Sequence, residues 1–211
     1  MNDGNTERHS QDNENDGFTT TAFVTIGATA GFRSLLEEVV SPTFIAALRA
    51  LGFTDLIVQC GPDLQYFESI KSPPDGKPHG IRITAFSYAP DLGKYFLQAS
   101  RSDGSDGNGK RHCGVIISHA GSGSIIEALQ FDSKLIAVPN PELMDNHQLE
   151  IAEEMDSQGF LVHGTLGSVA EAFMKIHEIT LQKWPPGPSP GSAYQKGGLW
   201  EAINELMPRP S

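Results

Sequence analysis

Ser118-His119-Ala120-Gly121-Ser122-Gly123-Ser124, followed by Glu127, is the stretch of this chain whose residue types could do chemistry. It supplies hydroxyl donors at Ser122 and Ser124 and an imidazole N–H at His119, and Gly121 and Gly123 allow a backbone to come close to a ligand. Val115-Ile116-Ile117 before it reads as a strand, and Ile125-Ile126 after it as the start of a helix. Unpaired backbone N–H groups at a helix N-terminus point at an anion, and the macrodipole favours negative charge there. Glu127 is an acceptor, suited to a ribose hydroxyl and unsuited to phosphate. The segment reads as a seat for a nucleotide diphosphate.

Such a seat needs a sheet to hold it. Thr21-Ala22-Phe23-Val24-Thr25-Ile26 predicts a first strand, closed by the turn Gly27-Ala28-Thr29-Ala30-Gly31 and followed by a helix with Leu35, Leu36, Val39 and Val40 at helical spacing. Ser41-Pro42 supplies an N-cap and a proline at the first helical position for a second helix carrying Phe44, Leu48 and Leu51. Leu56 to Gln59, Ile81 to Phe86, Leu135 to Val138 and Phe160 to Val162 predict further strands. A polar, Pro- and Gly-rich excursion is expected over about 61–80, a short helix near 92–99 and a low-complexity loop over 101–110. Asp145 with Gln148, and Ser168 with Glu171, have capping-box spacing ahead of two more helices. Strands alternating with helices predict an α/β fold, a mostly parallel sheet with helices on both faces, whose crevice lies at the carboxyl ends of the strands. Residues 1–19 are expected to be a disordered acidic tail and 20–183 the folded domain. A Pro-rich linker and a helix with Leu199, Ile203, Leu206 and Met207 on one side are expected over 184–211.

Other chemistries fall away on their residues. A dinucleotide fingerprint begun at Gly121 and Gly123 wants its third glycine where Ile126 stands. Gly104 to Lys110 spells G-x-x-x-x-G-K, but Arg111 replaces the magnesium-binding hydroxyl and a strand follows instead of a helix, so this is read as a surface loop. No G-x-S-x-G nucleophile elbow follows a predicted strand, the pattern falling only in the Pro-rich stretch Gly187-Pro188-Ser189-Pro190-Gly191, and the His and acidic residues lack metal-ligand spacing, so neither metal nor cofactor is expected. The net charge of −11 over 211 residues argues against nucleic acid as a partner. Two cysteines, no apparent leader and no apolar run of ~18 residues predict a cytoplasmic chain. Asp145-Asn146-His147-Gln148 reads either as a plain helix cap or as a set of amides and an imidazole facing a sugar's hydroxyls. Gln59 and Phe86 at their strand ends are either core or crevice residues, Phe86 then covering a flat base.

Phe23-Val24-Thr25-Ile26-Gly27-Ala28-Thr29, the stretch Val115 to Glu127, and Leu143-Met144-Asp145-Asn146-His147-Gln148 together resemble the asparagine-linked glycosylation protein thirteen family, in order and spacing over about residues 20–165. Members are catalytic subunits of the UDP-N-acetylglucosamine transferase that adds the second sugar to dolichyl-diphosphate-GlcNAc. The resemblance implies a Rossmann-like domain, the single C-terminal-type, donor-binding half of a GT-B glycosyltransferase, similar to the bacterial enzyme that adds GlcNAc to the undecaprenyl-linked cell-wall precursor. It implies that Gly27, Ala28 and Thr29 line the crevice beside the donor diphosphate and that Phe86 and the backbone of Ser87 meet the uracil. Ser118, His119, Ala120, Gly121, Ser122, Gly123 and Ser124 would form the diphosphate seat, with His119 the catalytic contact to the leaving group. Glu127 would hold the ribose, and Asn146, His147 and Gln148 the GlcNAc ring.

The implied reaction is inverting: the acceptor hydroxyl attacks C1 of UDP-GlcNAc, a β1,4 bond forms and UDP leaves. The acceptor-binding half is expected on a separate membrane-anchored subunit, of the asparagine-linked glycosylation protein fourteen family, which also carries the general base and recruits the chain to the cytosolic face of the endoplasmic reticulum. Two rival readings are a non-catalytic nucleotide-sugar-binding scaffold and a nucleotide-sugar epimerase, the latter requiring two lobes in one chain.

Overall fold

The computed structural model describes residues 18–72, 80–143 and 147–184. Eight strands form: β1 (Thr21–Thr25), β2 (Asp55–Gln59), β3 (Arg82–Phe86), β4 (Ser102–Asp103), β5 (Lys110–Arg111), β6 (Val115–Ser118), β7 (Lys134–Ala137) and β8 (Val162–His163). The helices are α1 (Arg33–Val39), α2 (Pro42–Ala50), α3 (Leu64–Ile70), α4 (Gly93–Gln98), α5 (Ser122–Ala128), α6 (His147–Ser157) and α7 (Val169–Glu178). Six strands make one sheet in the order β3-β2-β1-β6-β7-β8, with every pairing parallel, and β4 and β5 form a small antiparallel hairpin. The strand order reverses between β1 and β6, and in open parallel sheets that reversal opens a crevice beyond the carboxyl ends of the two strands.

Alternation along each strand divides the core between the two faces. Ala22, Val24, Leu56, Val58, Val115 and Ile117 face α1, α2, α3 and α7. Phe23, Ile57, Ile116, Leu135 and Ala137 face α4, α5 and α6. Phe173 of α7 lies 5.1 Å from Phe44 and 4.9 Å from Phe53, ring centre to ring centre, and all three are buried. Truncating a fully buried phenylalanine of this kind costs about 3–5 kcal/mol. The Ser41 cap forms as the sequence predicts, its Oγ accepting from Phe44 N at 3.2 Å with Pro42 at the first helical position.

Several expectations are corrected. The excursion over 61–80 contains α3, whose Phe67 is fully buried, and only 73–79 of it lies outside the described residues. The loop over 101–110 is the β4–β5 hairpin, organised by the buried Arg111. That guanidinium donates to the carbonyls of Ser100 (3.3 Å), Asn108 (3.1 Å) and Gly109 (3.2 Å) and to the Asp106 carboxylate, which it holds down to about 2. Phe18 and Thr19, expected in the tail, are placed on the hairpin: Thr19 N donates to Lys110 O and Phe18 stacks on His112 at 4.5 Å. Residues 1–17 and 185–211, including the expected C-terminal helix, lie outside the described residues, as does Asp145. Trp184, expected in the linker, packs edge-on against Phe160 at 5.1 Å.

Ser168 sits at the head of α7 but makes no capping bond with its side chain. Glu38 of α1 does this instead, its two carboxylate oxygens accepting from Gly167 N at 2.9 Å and Val169 N at 2.6 Å. A carboxylate at a helix N-terminus is stabilising both as a hydrogen-bond acceptor and by its charge. Glu38→Ala is therefore expected to lower stability by about 1–2 kcal/mol, seen as a lower urea midpoint with unchanged slope, while Ser168→Ala changes it by less than about 0.5 kcal/mol.

Candidate functional site

The switch point between β1 and β6 brings both glycine turns together, because Thr25 and Ser118 are register partners at the ends of neighbouring strands. His119, the first residue beyond β6, is tied to β1 twice. Its backbone N–H donates to the Thr25 carbonyl at 3.0 Å, and its Nδ1 lies 3.3 Å from the same oxygen. A carbonyl only accepts, so Nδ1 carries the hydrogen in this contact, and Nε2 is the lone-pair nitrogen of the neutral ring. Burial lowers the His119 pKa, opposed by the bond to Thr25, so the neutral form is favoured further.

Two glycines make room for that ring. A Cβ at Gly27, whose φ is +81°, would stand 3.0 Å from His119 Cε1, and one at Gly121 would stand 2.5 Å from Nε2. Gly121 is thus required first by the imidazole beside it. Ala120 between them has φ +65°, a left-handed conformation that a residue with a Cβ adopts at a cost of about 1–2 kcal/mol. It turns the chain between the end of β6 and the start of α5. Gly121 forms the N-cap of α5 without a side-chain cap, and Ser122 and Gly123 are exposed. The first amides of α5 are therefore not taken up by a capping side chain.

Opposite, the Gly27–Gly31 turn is fixed by residues far away in sequence. Asp63 accepts from Phe32 N at 3.1 Å and from Arg33 Nε at 2.9 Å, which caps α1 from outside. Asn140, beyond β7, donates from Nδ2 to Gly31 O at 3.0 Å. The same Asn140 donates its N–H to Gln148 Oε1 at 3.2 Å and accepts from Glu142 N at 3.0 Å. Asp63 and Asn140 position the site without having been expected to; the one signal was the Pro139-Asn140-Pro141 turn. Gln59 is core, buried with its Oε1 accepting from Thr25 Oγ1.

Most of the expected site residues converge. Gly27 and His119 touch, Ala28 and Thr29 are exposed on the turn, and Gly121, Ser124 and Glu127 are half-buried along the seat. Burial raises the Glu127 carboxyl pKa, and the charge of Asp91 raises it further. Three residues stand differently from expectation. Ser118 is fully buried, its Oγ without a hydrogen-bond partner among the described residues, and Ala120 is also fully buried, so it contributes only its backbone. Phe86 is half-buried, with one ring face covered by Tyr95 at 4.2 Å; Tyr95 in turn lies under Lys94 Nζ at 4.7 Å. Phe23 also lies near-parallel to Phe86 at 6.5 Å, so a flat base has only the part of Phe86 that these two rings leave, with Ser87 exposed next to it. Asn146 lies outside the described residues. His147 is exposed and 3.6 Å from Glu150, and Gln148 helps line a cavity of about 300 Å³ with Asn140, His163 and Thr165.

A cavity of about 630 Å³ lies at the other end of the sheet, lined by Cys113, Lys134 and His177 near the starts of β6 and β7. Its chemistry is poor. Burial pushes the Cys113 thiol up, and Lys134 Nζ is committed to the Ile176 carbonyl at 2.6 Å. Among the described residues no group of three or more His, Cys, Asp and Glu side chains could hold a metal ion, and no helix is long and apolar enough to cross a membrane.

Two half-buried imidazoles set an acid dependence. His119 and His177 both have pKa values lowered by burial below 6.5, His177 also by the charge of Lys134. As pH falls through the ordinary histidine range, the unfolded chain takes up protons that the fold refuses, so this stability is complete above about 6.5 and declines below it. Urea midpoints of wild type and His119→Asn, compared between about pH 7.5 and about pH 5.5, should show a shallower decline in the variant, since a term such as that of Glu127 is common to both.

Residues 111–172 match the Glycosyltransferase family 28 C-terminal domain. The chain is 35% identical over 170 residues to the UDP-N-acetylglucosamine transferase subunit ALG13 of Yarrowia lipolytica, covering 80% of this chain and 78% of that one. Among solved structures, the ALG13 solution structure superimposes with a TM-score of 0.56 at 24% identity, covering 80% of this chain and 90% of that one. MurG of Acinetobacter baumannii superimposes with a TM-score of 0.51 at 18% identity, covering 76% of this chain and 41% of that one, which speaks for the fold alone. The seat and the β6–β8 half of the sheet lie inside the family 28 match, and the fold is similar to that of these structures over 76–80% of the chain. The chain belongs to the ALG13 family of UDP-N-acetylglucosamine transferase subunits.

Proposed function

We propose that this chain is the donor-binding, catalytic subunit of a two-subunit inverting glycosyltransferase that moves GlcNAc from UDP-GlcNAc to dolichyl-diphosphate-GlcNAc. The observation that carries the proposal is the joining of the Gly27 turn and the His119–Ser124 seat at the strand-order reversal, with His119 held between their glycines. In this reading residues 20–183 form the nucleotide-sugar domain. The diphosphate lies against the amides of 121–124, Glu127 accepts from the ribose, and uracil meets the uncovered part of Phe86 and the backbone of Ser87. The GlcNAc ring lies toward Asn146, His147 and Gln148, next to the Asn140 crosslink.

Charge builds on the departing diphosphate as the bond to C1 breaks. Backbone donors already aimed at it stabilise that charge more in the transition state than in the ground state, and their fixed orientation avoids reorganisation. The hydroxyl that attacks belongs to the lipid-linked acceptor. Its binding site and general base are assigned here to the membrane-anchored subunit of the asparagine-linked glycosylation protein fourteen family, which places the pair at the cytosolic face of the endoplasmic reticulum. The ALG13 relatives are named as subunits, which supports an incomplete enzyme in this chain alone.

The test is reconstitution. Transfer from UDP-GlcNAc to the lipid acceptor is expected for the pair and not for the chain alone; transfer by the chain alone, or none by the folded pair, overturns the proposal, the latter in favour of a binding scaffold. Glu127→Ala should leave the melting transition intact and weaken donor binding by about 1.5–3 kcal/mol, roughly 10- to 150-fold. Unchanged affinity by calorimetry would remove Glu127 from the ribose site.

A further inference from the structure

We propose that His119 takes up a proton from solvent when the diphosphate of a nucleotide sugar enters the crevice, so that the anion is met by an imidazolium with Nδ1–H on the Thr25 carbonyl and Nε2–H on a phosphate oxygen. The inference rests on the reading of this crevice as a nucleotide-sugar seat, and adds the protonation state in which the seat works.

The geometry forces the choice. Thr25 O lies 3.3 Å from Nδ1 and can only accept, so the one hydrogen of a neutral ring is on Nδ1. Nε2 then offers a lone pair, and it does so at the seat, since a Cβ on Gly121 would fall 2.5 Å from it. A lone pair facing phosphate oxygens is repulsive. The ring cannot turn over to present a hydrogen there without giving up the Thr25 contact, and Gly27 and Gly121 box it on two sides. One added proton resolves the conflict, leaving both nitrogens as donors.

The chain's own groups disfavour that proton, because burial lowers the pKa of the ring and the neighbouring groups are uncharged: the Thr25 carbonyl from β1, Gly27 from the turn beyond it, and Gly121 at the head of α5. The ionisable side chains of the surrounding elements act elsewhere. Glu127 on α5 is influenced by Asp91, Asp63 binds Arg33 and Phe32 N, and His147 faces Glu150. The diphosphate would thus be the first opposite charge the ring meets, in partly desolvated surroundings where such a charge acts strongly. Each phosphate of a nucleotide sugar carries one ester and the shared anhydride link, which leaves it a single strongly acidic hydroxyl that stays ionised across the neutral range, so the proton is expected on the protein.

Nitrogen-15 spectra of the histidines in the full chain, titrated with pH in the absence and presence of saturating UDP-GlcNAc, test this directly. Without donor, His119 should be neutral at pH 7 with hydrogen on Nδ1. With donor, the midpoint should rise by a unit or more and both nitrogens should be protonated below it, which by linkage is about tenfold tighter donor binding on the acid side of the transition than on the alkaline side. His119→Asn should bind donor with no such pH dependence near neutrality. Two results would overturn the inference while leaving the donor seat standing: Nε2 still unprotonated when the amides of 119–124 respond to UDP-GlcNAc, or a hydrogen on Nε2 in the free chain. No response of those amides at any donor concentration would remove the donor seat and this inference together.

Discussion

The carbonyl oxygen of Thr25 accepts from the backbone of His119 and from its ring, and the crevice is arranged around those two contacts. They join the ends of β1 and β6, the two strands at which the sheet reverses its order. With the ring fixed by Thr25, the residues facing it must be small, so Gly27 and Gly121 follow. The chain must also leave β6 in a left-handed conformation at Ala120 to begin α5. A strained backbone persists only where its surroundings over-determine it, and here the fully buried Ala120 side chain and the β1–β6 pairing do so.

Three loops at this end of the sheet, β1–α1, β7–α6 and β8–α7, are held by residues from other elements. Asp63 caps α1, Asn140 ties the β1–α1 turn to the β7–α6 loop and to Gln148, and Glu38 caps α7. These bonds use side chains to satisfy backbone groups that short helices leave open, and each fixes a loop relative to its neighbour. The rigidity has a functional sense: donor groups stabilise a departing diphosphate only when they need not reorganise to reach it. The seat is thereby part of the fold's own crosslinking, and the remaining polar side chains, Ser122, Ser124 and Glu127, are those not spent on it.

Much of this was legible in the sequence where the signal is local. Runs such as Phe23-Val24-Thr25-Ile26 and Val115-Ile116-Ile117 can be little other than buried strands, and a glycine turn after each announces the crevice. What was not legible depends on distance along the chain. Asp63 acts across 31 residues, Asn140 across 109 and Glu38 across 131, so no window of sequence shows their roles, and the capping spacing at Ser168 pointed to the wrong cap. Gly121 was read as room for a ligand because the orientation of His119 cannot be seen in sequence. Ser118 was counted in the seat because strand alternation alone does not say which end residue is covered by the next layer. Helix α3 escaped because its single fully buried anchor, Phe67, gives no periodic stripe.

Both ends of the sheet carry openings, and the assignment of function to one of them is the central claim. Backbone amide spectra of the full chain titrated with UDP-GlcNAc decide between them. The account predicts shifts grouped at Gly27–Thr29, Phe86–Ser87 and His119–Glu127, on the carboxyl ends of β1, β3 and β6. Shifts grouped instead around Cys113, Lys134 and His177, at the opposite end, would contradict it.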